Sequence, residues 1–454
     1  MIKRYLTFFA IIVTCGLRLV SQAVDHQHDS PTYAQHEHNE HDGHDHSGHN
    51  HDGHDHSGHA HTAPANAQPH AASHDDHAEF DAKATAFHHI SDLNVYNIGP
   101  WNLPLPCILY ASGQGLSFFS SSKFGIDNAH HGSGHYAIDR YVLNEGKVMR
   151  IIEPTFPMGK VEIDGFATQE TEVDGKKKYI DLVNYQGVPL PLEKSSTADG
   201  GIFGGGITGF YDLSISKNVF AMLLVIGLMS LVFISMARHY KRAPGTAPKG
   251  AQKLFEPIIL FLQDEVAKPF LGEKYARFMP LLLAIFFFIL GLNLFGQIPF
   301  LGAANVTGNL AVTMVLAILV FIVVNLNGNW HYWQHILWMP GIPAAVKIFV
   351  LTPVEILGVI IKPVTLMLRL FANITAGHMV ITIFIGLIFI FGKSGESPGA
   401  AYGASIGSVL LTLFMMAIEL LVAFIQAYVF TLLTASYIGA ATEEHHHGHE
   451  EASH

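Results

Sequence analysis

Charged side chains and cysteine are both scarce in this sequence. Asp, Glu, Lys and Arg make up 14% of its 454 residues, against roughly 25% in soluble domains. The two cysteines, Cys15 and Cys107, are too few for the disulfide framework of a small secreted domain. No cluster of Lys and Arg with interleaved aromatic residues occurs in a soluble stretch, so we expect no nucleic-acid partner. The motif GxxxxGK(S/T) is also absent, which excludes a P-loop nucleotide site.

The first 23 residues have the pattern of a secretory signal peptide. Lys3 and Arg4 precede an apolar run from Tyr5 to Leu17, and Ser21-Gln22-Ala23 offers a cleavage site between small residues. The apolar run is too short to cross a hydrocarbon core of ~30 Å. The sequence therefore predicts a signal peptide over 1–23 and a mature chain that starts outside the cytoplasm.

Histidine, aspartate and glycine dominate the next segment, residues 24–89, and HDGHDHSGH occurs twice, at 41–49 and 51–59. With almost no large apolar residues the segment cannot bury a core, so we expect it to be disordered. Imidazoles at this spacing suit zinc or nickel, although the segment could equally be a polar tether. The candidate ligands are His41, His44, His46, His49, His51, His54, His56 and His59.

Residues 90–213 predict a small β-containing extracytoplasmic domain. Lys147–Ile152 has strand character, and Asp174-Gly175 between two alternating segments predicts a hairpin of 166–173 with 176–183. His130, His131 and His135 have no nucleophile partner, and we interpret them as solvated loop residues. The glycine-rich stretch 200–209 is expected to be a flexible joint to the membrane half.

Residues 214–442 predict an all-α polytopic membrane domain of about five spanning helices. The apolar runs lie at about 218–237, 279–300, 309–327, 353–391 and 403–440. Positive charge after the first run places that loop in the cytoplasm, from Arg238, Lys241, Arg242, Lys249 and Lys253. The histidine-rich tail, 443–454, is then cytoplasmic, and is either a metal ligand set or a solvated tail. Leu254, Phe255, Ile258, Ile259, Leu262 and Val266 predict an interfacial amphipathic helix.

Arg369 lies in the middle of the long apolar run, with more than a helical turn of apolar sequence on each side. A charge at the bilayer centre costs about 2.5–3.5 kcal/mol, so this guanidinium needs a water path or a counter-charge. The run is 39 residues long, or ~58 Å as one helix, and it must tilt, lie partly along a surface or break at Pro363. The last two runs thus predict a long tilted helical hairpin.

Other polar residues follow the same helical faces. Glu355, Lys362 and Arg369 are spaced by seven, with Asn373 one turn further; Lys362 either belongs to this stripe or snorkels to the surface. Glu419 and Gln426 share a face of the last run. If the two runs are antiparallel, the helical rise brings His378 and Glu419 to similar depths. Such a pair could transfer protons, because histidine titrates near neutrality and burial can shift a carboxylate toward it.

These residues resemble the membrane a subunit of F-type ATP synthase. The resemblance rests on KPVTLMLRLFANITAGH at 362–378, on Asn309 and Thr313, on LLVAFIQAYVFTLLTASYI at 420–438 and on ATEEH at 441–445, and it covers about 210–445. It implies a bacterial inner membrane protein with a periplasmic mature N-terminus and a cytoplasmic C-terminus. The implied partners are the c-ring, the peripheral-stalk b subunits, the catalytic head and membrane lipid, with no cofactor required and no catalytic site in this chain.

The resemblance also implies roles for single residues. Arg369 would be the essential arginine that faces the c-ring, Asn373 and Gln426 its polar neighbours, and Glu355 part of the cytoplasmic-side path. His378 and Glu419 would form the outer half-channel, with acid and imidazole exchanged relative to many bacterial members. The signal peptide, the histidine-rich segment and the extra domain depart from the family core.

Two other function classes compete with this one. The HDGHDHSGH repeats favour a zinc or nickel transporter, which needs metal-ligand sets inside its spans, whereas the spans here contain a fixed cation that repels metal ions. A membrane-anchored metal-binding protein would need neither five spans nor Arg369.

Overall fold

The computed structural model describes residues 91–98, 101–126, 132–173, 176–196, 206–242, 247–298, 304–337, 346–392 and 397–443. The predicted signal peptide, the candidate metal ligands between His41 and His59, and the histidine-rich tail beyond 443 lie outside these residues.

The N-terminal part of the described chain is a β domain. Its strands are β1 Val95–Ile98, β2 Trp101–Pro104, β3 Pro106–Ala111, β4 Gly115–Ser120, β5 Tyr136–Ile138, β6 Tyr141–Asn144, β7 Lys147–Ile151, β8 Lys160–Glu162, β9 Gly165–Val173, β10 Lys176–Tyr185, β11 Val188–Glu193 and β12 Phe210–Asp212. They form the hairpin β1–β2, a three-stranded sheet β12-β3-β4, and a seven-stranded sheet β8-β5-β6-β7-β11-β10-β9. Every strand pair is antiparallel.

The seven-stranded sheet is buried on both faces at its middle. Tyr141 and Leu143 of β6 point into one apolar cluster together with Cys107 and Phe210, while Val142 between them points into a second cluster. This follows from the two-residue period of a strand, which sends successive side chains to opposite faces. A strand of continuous apolar residues is therefore covered on both sides.

The predicted hairpin is confirmed, because β9 and β10 pair from Val173 with Lys176 to Phe166 with Val183; the turn residues themselves lie outside the described chain. The predicted flexible joint is wrong for residues 206–209. Thr208 N donates to Ser196 Oγ at 2.9 Å and Gly209 N donates to Glu193 Oε2 at 3.0 Å, so this stretch is tied to the β domain and continues directly into β12.

The membrane half is helical. Its helices are α1 Lys217–Arg242, α2 Ala251–Phe261, α3 Lys268–Leu271, α4 Tyr275–Gly296, α5 Leu310–Asn327, α6 Trp330–Leu337, α7 Thr352–Phe391 and α8 Pro398–Thr442. Five helical stretches are long and apolar enough to span a membrane: Lys217–Arg242, Ala251–Gly296, Leu310–Asn327, Phe349–Phe391 and Pro398–Thr442. The five predicted runs are thus confirmed as helices of spanning length.

The segment predicted as an interfacial helix forms α2 and a π-helical turn, Leu262–Ala267. Leu262 and Val266 are buried, and Phe255 packs against the same core. Leu254 is exposed, because one residue along a helix turns the side chain by about 100° from Phe255. Past α3 the chain turns at Gly272, whose φ is +52°, a conformation that glycine adopts at no steric cost.

The helices α7 and α8 form a long antiparallel hairpin. Helix α7 continues through Pro363 without ending, so of the three predicted alternatives for this run a break is excluded. At 40 residues α7 is ~60 Å long, about twice the hydrocarbon thickness. It must therefore tilt strongly or extend along a surface.

Candidate functional site

Arg369 lies at the border between the buried and exposed faces of α7. Leu366 lies three residues before Arg369 and Leu370 one residue after it. Both leucines are buried in the core of the helix bundle, whereas Leu368 is exposed. Arg369 is half-buried, and its guanidinium lies close enough to Tyr437 of α8 to interact electrostatically with its phenol. Among the described residues no carboxylate lies within ion-pair distance of it. The costly intramembrane charge therefore lies at the edge of the helix bundle, without a counter-charge from the described residues.

His378 and Glu419 face each other across the α7–α8 hairpin. His378 Nε2 lies 3.6 Å from Glu419 Oε1, and the two residues are only 8% and 3% exposed. Within the described structure neither carboxylate oxygen of Glu419 has a hydrogen-bond partner. The predicted meeting of these two side chains is thus confirmed, and it places an imidazole and an acid together inside the bundle.

Glycine at position 377 permits this approach. A Cβ added there would lie 3.0 Å from Glu419 Oε1 and 3.3 Å from its Cδ, closer than side chains normally come. The Ala-Gly-His sequence at 376–378 therefore provides both the imidazole and the space for its partner.

A group of buried polar residues next to this pair was not foreseen from the sequence. Thr307 Oγ1 donates to Asn293 Oδ1 at 2.6 Å, and Asn293 Nδ2 donates to the carbonyl oxygen of Ala423, one turn beyond Glu419. Thr375 Oγ1, one turn before His378, donates to the carbonyl oxygen of Gly308 at 3.2 Å. The available signal was Asn293 itself, an amide in an apolar run, which is expected to find a hydrogen bond when buried.

The other polar residues of the stripe lie on the opposite side of Arg369. Lys362 Nζ is 5.3 Å from the centre of the Tyr437 ring, a cation–π distance, and both residues line a cavity with Asn325 and Tyr332. Burial, and then the negative charge of Glu355, raise the pKa of Tyr332 on α6, so Glu355 faces this same region. The structure thus brings Glu355 and Lys362 to one end of the hairpin, away from His378 and Glu419.

Asn373 and Gln426 differ in exposure. Asn373, one turn beyond Arg369, is exposed, whereas Gln426 on α8 is buried.

The described residues contain no group of three His, Cys, Asp or Glu side chains that could hold a metal ion. The spans therefore offer no support for the metal-transporter alternative.

Comparison with known proteins adds independent evidence. Residues 219–439 match the family model described as ATP synthase A chain, a range that includes Arg369, His378 and Glu419. Residues 85–179 match the model of a domain of unknown function, DUF8433, which covers most of the β domain.

Several curated relatives are similar over the same half of the chain. ATP synthase subunit a of Chloroherpeton thalassium is 39% identical over 252 residues, which is 54% of this chain and 72% of the relative. ATP synthase subunit a 2 of Chlorobaculum tepidum is 39% identical over 252 residues, 54% of this chain and 68% of the relative. The corresponding protein of Prosthecochloris aestuarii is 37% identical over 255 residues, 55% and 74% of the two chains. With its helical membrane half and intramembrane arginine, this chain belongs to the ATP synthase subunit a family.

Proposed function

We propose that this chain conducts protons through two offset half-channels, separated by Arg369, as the static subunit of the ATP synthase membrane sector. The proton-conducting role follows from its family. The observation that supports this assignment of residues most strongly is the buried contact of His378 with Glu419, 3.6 Å apart, on the far side of Arg369 from Glu355 and Lys362.

His378 and Glu419 form the extracytoplasmic half-channel in this proposal. An imidazole can accept a proton on one nitrogen and release it from the other, and it titrates near neutral pH. A carboxyl group can likewise accept a proton on an oxygen and release it, so the contact joins two proton-binding groups. The hydrogen-bonded group of Asn293, Thr307 and Thr375 extends polar surface from this pair toward the ends of α4 and α5, where water would enter.

Arg369 separates the two half-channels. A guanidinium remains protonated in proteins, so it can stabilise an ionised carboxylate beside it but cannot pass on a proton. A carboxylate on the c-ring is the counter-charge that the outward border of α7 would meet. Protons must then travel with the ring, and each charge crossing is worth ~2.3 kcal/mol per 100 mV. Asn373, exposed beside it, and Gln426, buried across the hairpin, are its proposed polar neighbours.

The cavity lined by Asn325, Tyr332, Lys362 and Tyr437 is the proposed start of the cytoplasmic half-channel, with Glu355 at its outer end. Lys362 would then serve the path rather than snorkel. The positive charges after α1 support this orientation, with the C-terminus in the cytoplasm, the β domain in the periplasm and the chain in a bacterial inner membrane. The peripheral-stalk b subunits and the catalytic head complete the proposed set of partners.

Substitutions of His378 and Glu419 test the proposed proton path. In membrane vesicles that contain the whole complex, Glu419→Gln should slow ATP-driven acidification by about 100-fold, the scale of a lost proton-transfer group. The double exchange His378→Glu with Glu419→His restores one acid and one imidazole at the same contact, and should recover part of that loss. Glu443→Gln, the same change at the exposed C-terminal end of α8, is the control and should leave the rate unchanged. Acidification unchanged in Glu419→Gln would contradict the path.

The histidine-rich segment 24–89 is a proposed zinc or nickel buffer, on the basis of its ligand spacing alone. Titration calorimetry with zinc on the purified protein should show micromolar binding that disappears when 24–89 is deleted. Equal heats with and without the segment would leave only the tether interpretation.

A further inference from the structure

The β domain contains a long stretch without charge. Residues 93–122, between Asp92 and Lys123, include no Asp, Glu, Lys, Arg or His. By contrast, β9 and β10 of the same domain contain several acidic and basic residues. The uncharged stretch begins with the hairpin β1–β2, which lies where the β domain meets the membrane helices.

One face of this hairpin packs against the membrane helices. The Tyr96 ring centre lies 5.2 Å from that of Phe220 in the first turn of α1, and Ile98 packs against the core of the helix bundle. Tyr96 is only 2% exposed. The strand β1 therefore belongs as much to the membrane half as to the β domain.

The same face continues beyond the helices without cover. Leu103 is paired with Tyr96, and Trp101 with Ile98, and directly opposite residues of an antiparallel pair share a face. Yet Leu103 is 40% exposed and Trp101 is 73% exposed. An apolar face that is half covered by membrane helices thus ends in an exposed tryptophan.

The direction of β1 places this tryptophan beside the span. Lys217 N donates to the carbonyl oxygen of Leu93 at 2.7 Å, and Tyr96 lies beside Phe220, so β1 and α1 run the same way. Two further strand residues advance ~7 Å, which corresponds to four or five residues of helix. Ile98 and its partner Trp101 therefore reach about the level of Leu224, an exposed residue within the apolar run of α1.

We propose that the β1–β2 hairpin inserts into the bilayer leaflet around the N-terminal end of α1, with Trp101 and Leu103 in contact with lipid. The depth, the lack of charge and the exposed neighbours on α1 all suit lipid as the occupant. Tryptophan concentrates at the boundary between headgroups and hydrocarbon because its ring is apolar and its N–H is polar. The β domain would thus be held to the membrane by a second element besides α1.

Tryptophan fluorescence of the intact protein in phospholipid vesicles tests this inference. The difference between the emission of the unmodified protein and that of Trp101→Phe isolates Trp101 from the other three tryptophans. Phospholipids brominated in their acyl chains should quench most of this emission, and aqueous acrylamide should quench little of it. Tyr179→Trp, on the exposed surface of β10, is the control and should show the reverse.

Quenching of Trp101 by acrylamide but not by brominated lipid would overturn the proposal and leave the hairpin in water. Emission insensitive to both quenchers would overturn it as well, because something other than lipid, such as another subunit, would then cover the tryptophan. Neither result would affect the proposed proton path, because none of its residues lies in β1, β2 or α1.

Discussion

At the scale of single residues, Arg369, His378 and Glu419 of the α7–α8 hairpin differ in what they can do with a proton. Arg369 holds its proton permanently and is presented at the border of the bundle. His378 and Glu419 can each gain and lose one, and they are buried in contact, 3.6 Å apart. The residue types thus divide into one fixed charge and two groups that can exchange protons, as the proposed half-channels require.

The close approach of this pair depends on Gly377. We expect Gly377→Ala to slow ATP-driven acidification several-fold, because the new Cβ would lie 3.0 Å from Glu419 Oε1 and push the carboxylate away from His378. Gly358→Ala is the matched control on the same helix, since nothing lies within 4 Å of its added Cβ. Acidification should be measured in vesicles with equal amounts of assembled complex. Equal rates for the two variants would show that the contact does not limit proton transfer.

At the scale of elements, the β domain is joined to α1 by a defined set of hydrogen bonds. Asp92 Oδ1 accepts from Asn218 N at 3.0 Å, and Asp92 Oδ2 accepts from Ser216 Oγ at 2.7 Å. The first amides of a helix have no partner within the helix, so this carboxylate stabilises the start of α1 from within the β domain. The junction is therefore ordered although the sequence before it is rich in glycine.

We expect Asp92→Ala to loosen this junction. Loss of a side-chain cap costs about 0.5–2 kcal/mol, so limited proteolysis between the β domain and α1 should become faster by several-fold. Glu162→Ala, an exposed acid on β8, removes the same charge and should leave the cleavage rate unchanged. Equal cleavage of both variants would mean that Asp92 does not hold the two parts together.

The spans and the contact of His378 with Glu419 could be predicted from the sequence, because both depend on local periodicity. Run length located the five helices, and a rise of 1.5 Å per residue was enough to bring His378 and Glu419 to one depth. The strand order β8-β5-β6-β7-β11-β10-β9 was not predictable, because pairings such as β7 with β11 join residues far apart in the chain. The hydrogen bond from Thr307 to Asn293 was missed because it depends on how the connection between α4 and α5 folds back, which periodicity does not indicate. The prediction of a flexible joint was wrong for residues 206–209 because glycine content does not reveal tertiary hydrogen bonds.

At the scale of the whole molecule, the chain combines a membrane half that matches its family with a β domain that matches a family of unknown function. The membrane half contains the full set of proposed path residues, and the β domain contacts it at α1 through Asp92 and Tyr96. This division predicts that proton coupling is decided within the helical hairpin, whereas the β domain serves attachment at the membrane surface.

The proposed coupling of proton flow to the c-ring by Arg369 is tested most directly by ATP-driven acidification of vesicles that contain the complex with Arg369→Ala. We expect no acidification, because nothing then holds the ring carboxylate ionised at the interface or separates the half-channels. Arg277→Ala is the control: its guanidinium donates to Asn327 at an exposed end of α4, so acidification should persist. Acidification by Arg369→Ala at the rate of the unmodified complex would contradict this role of Arg369.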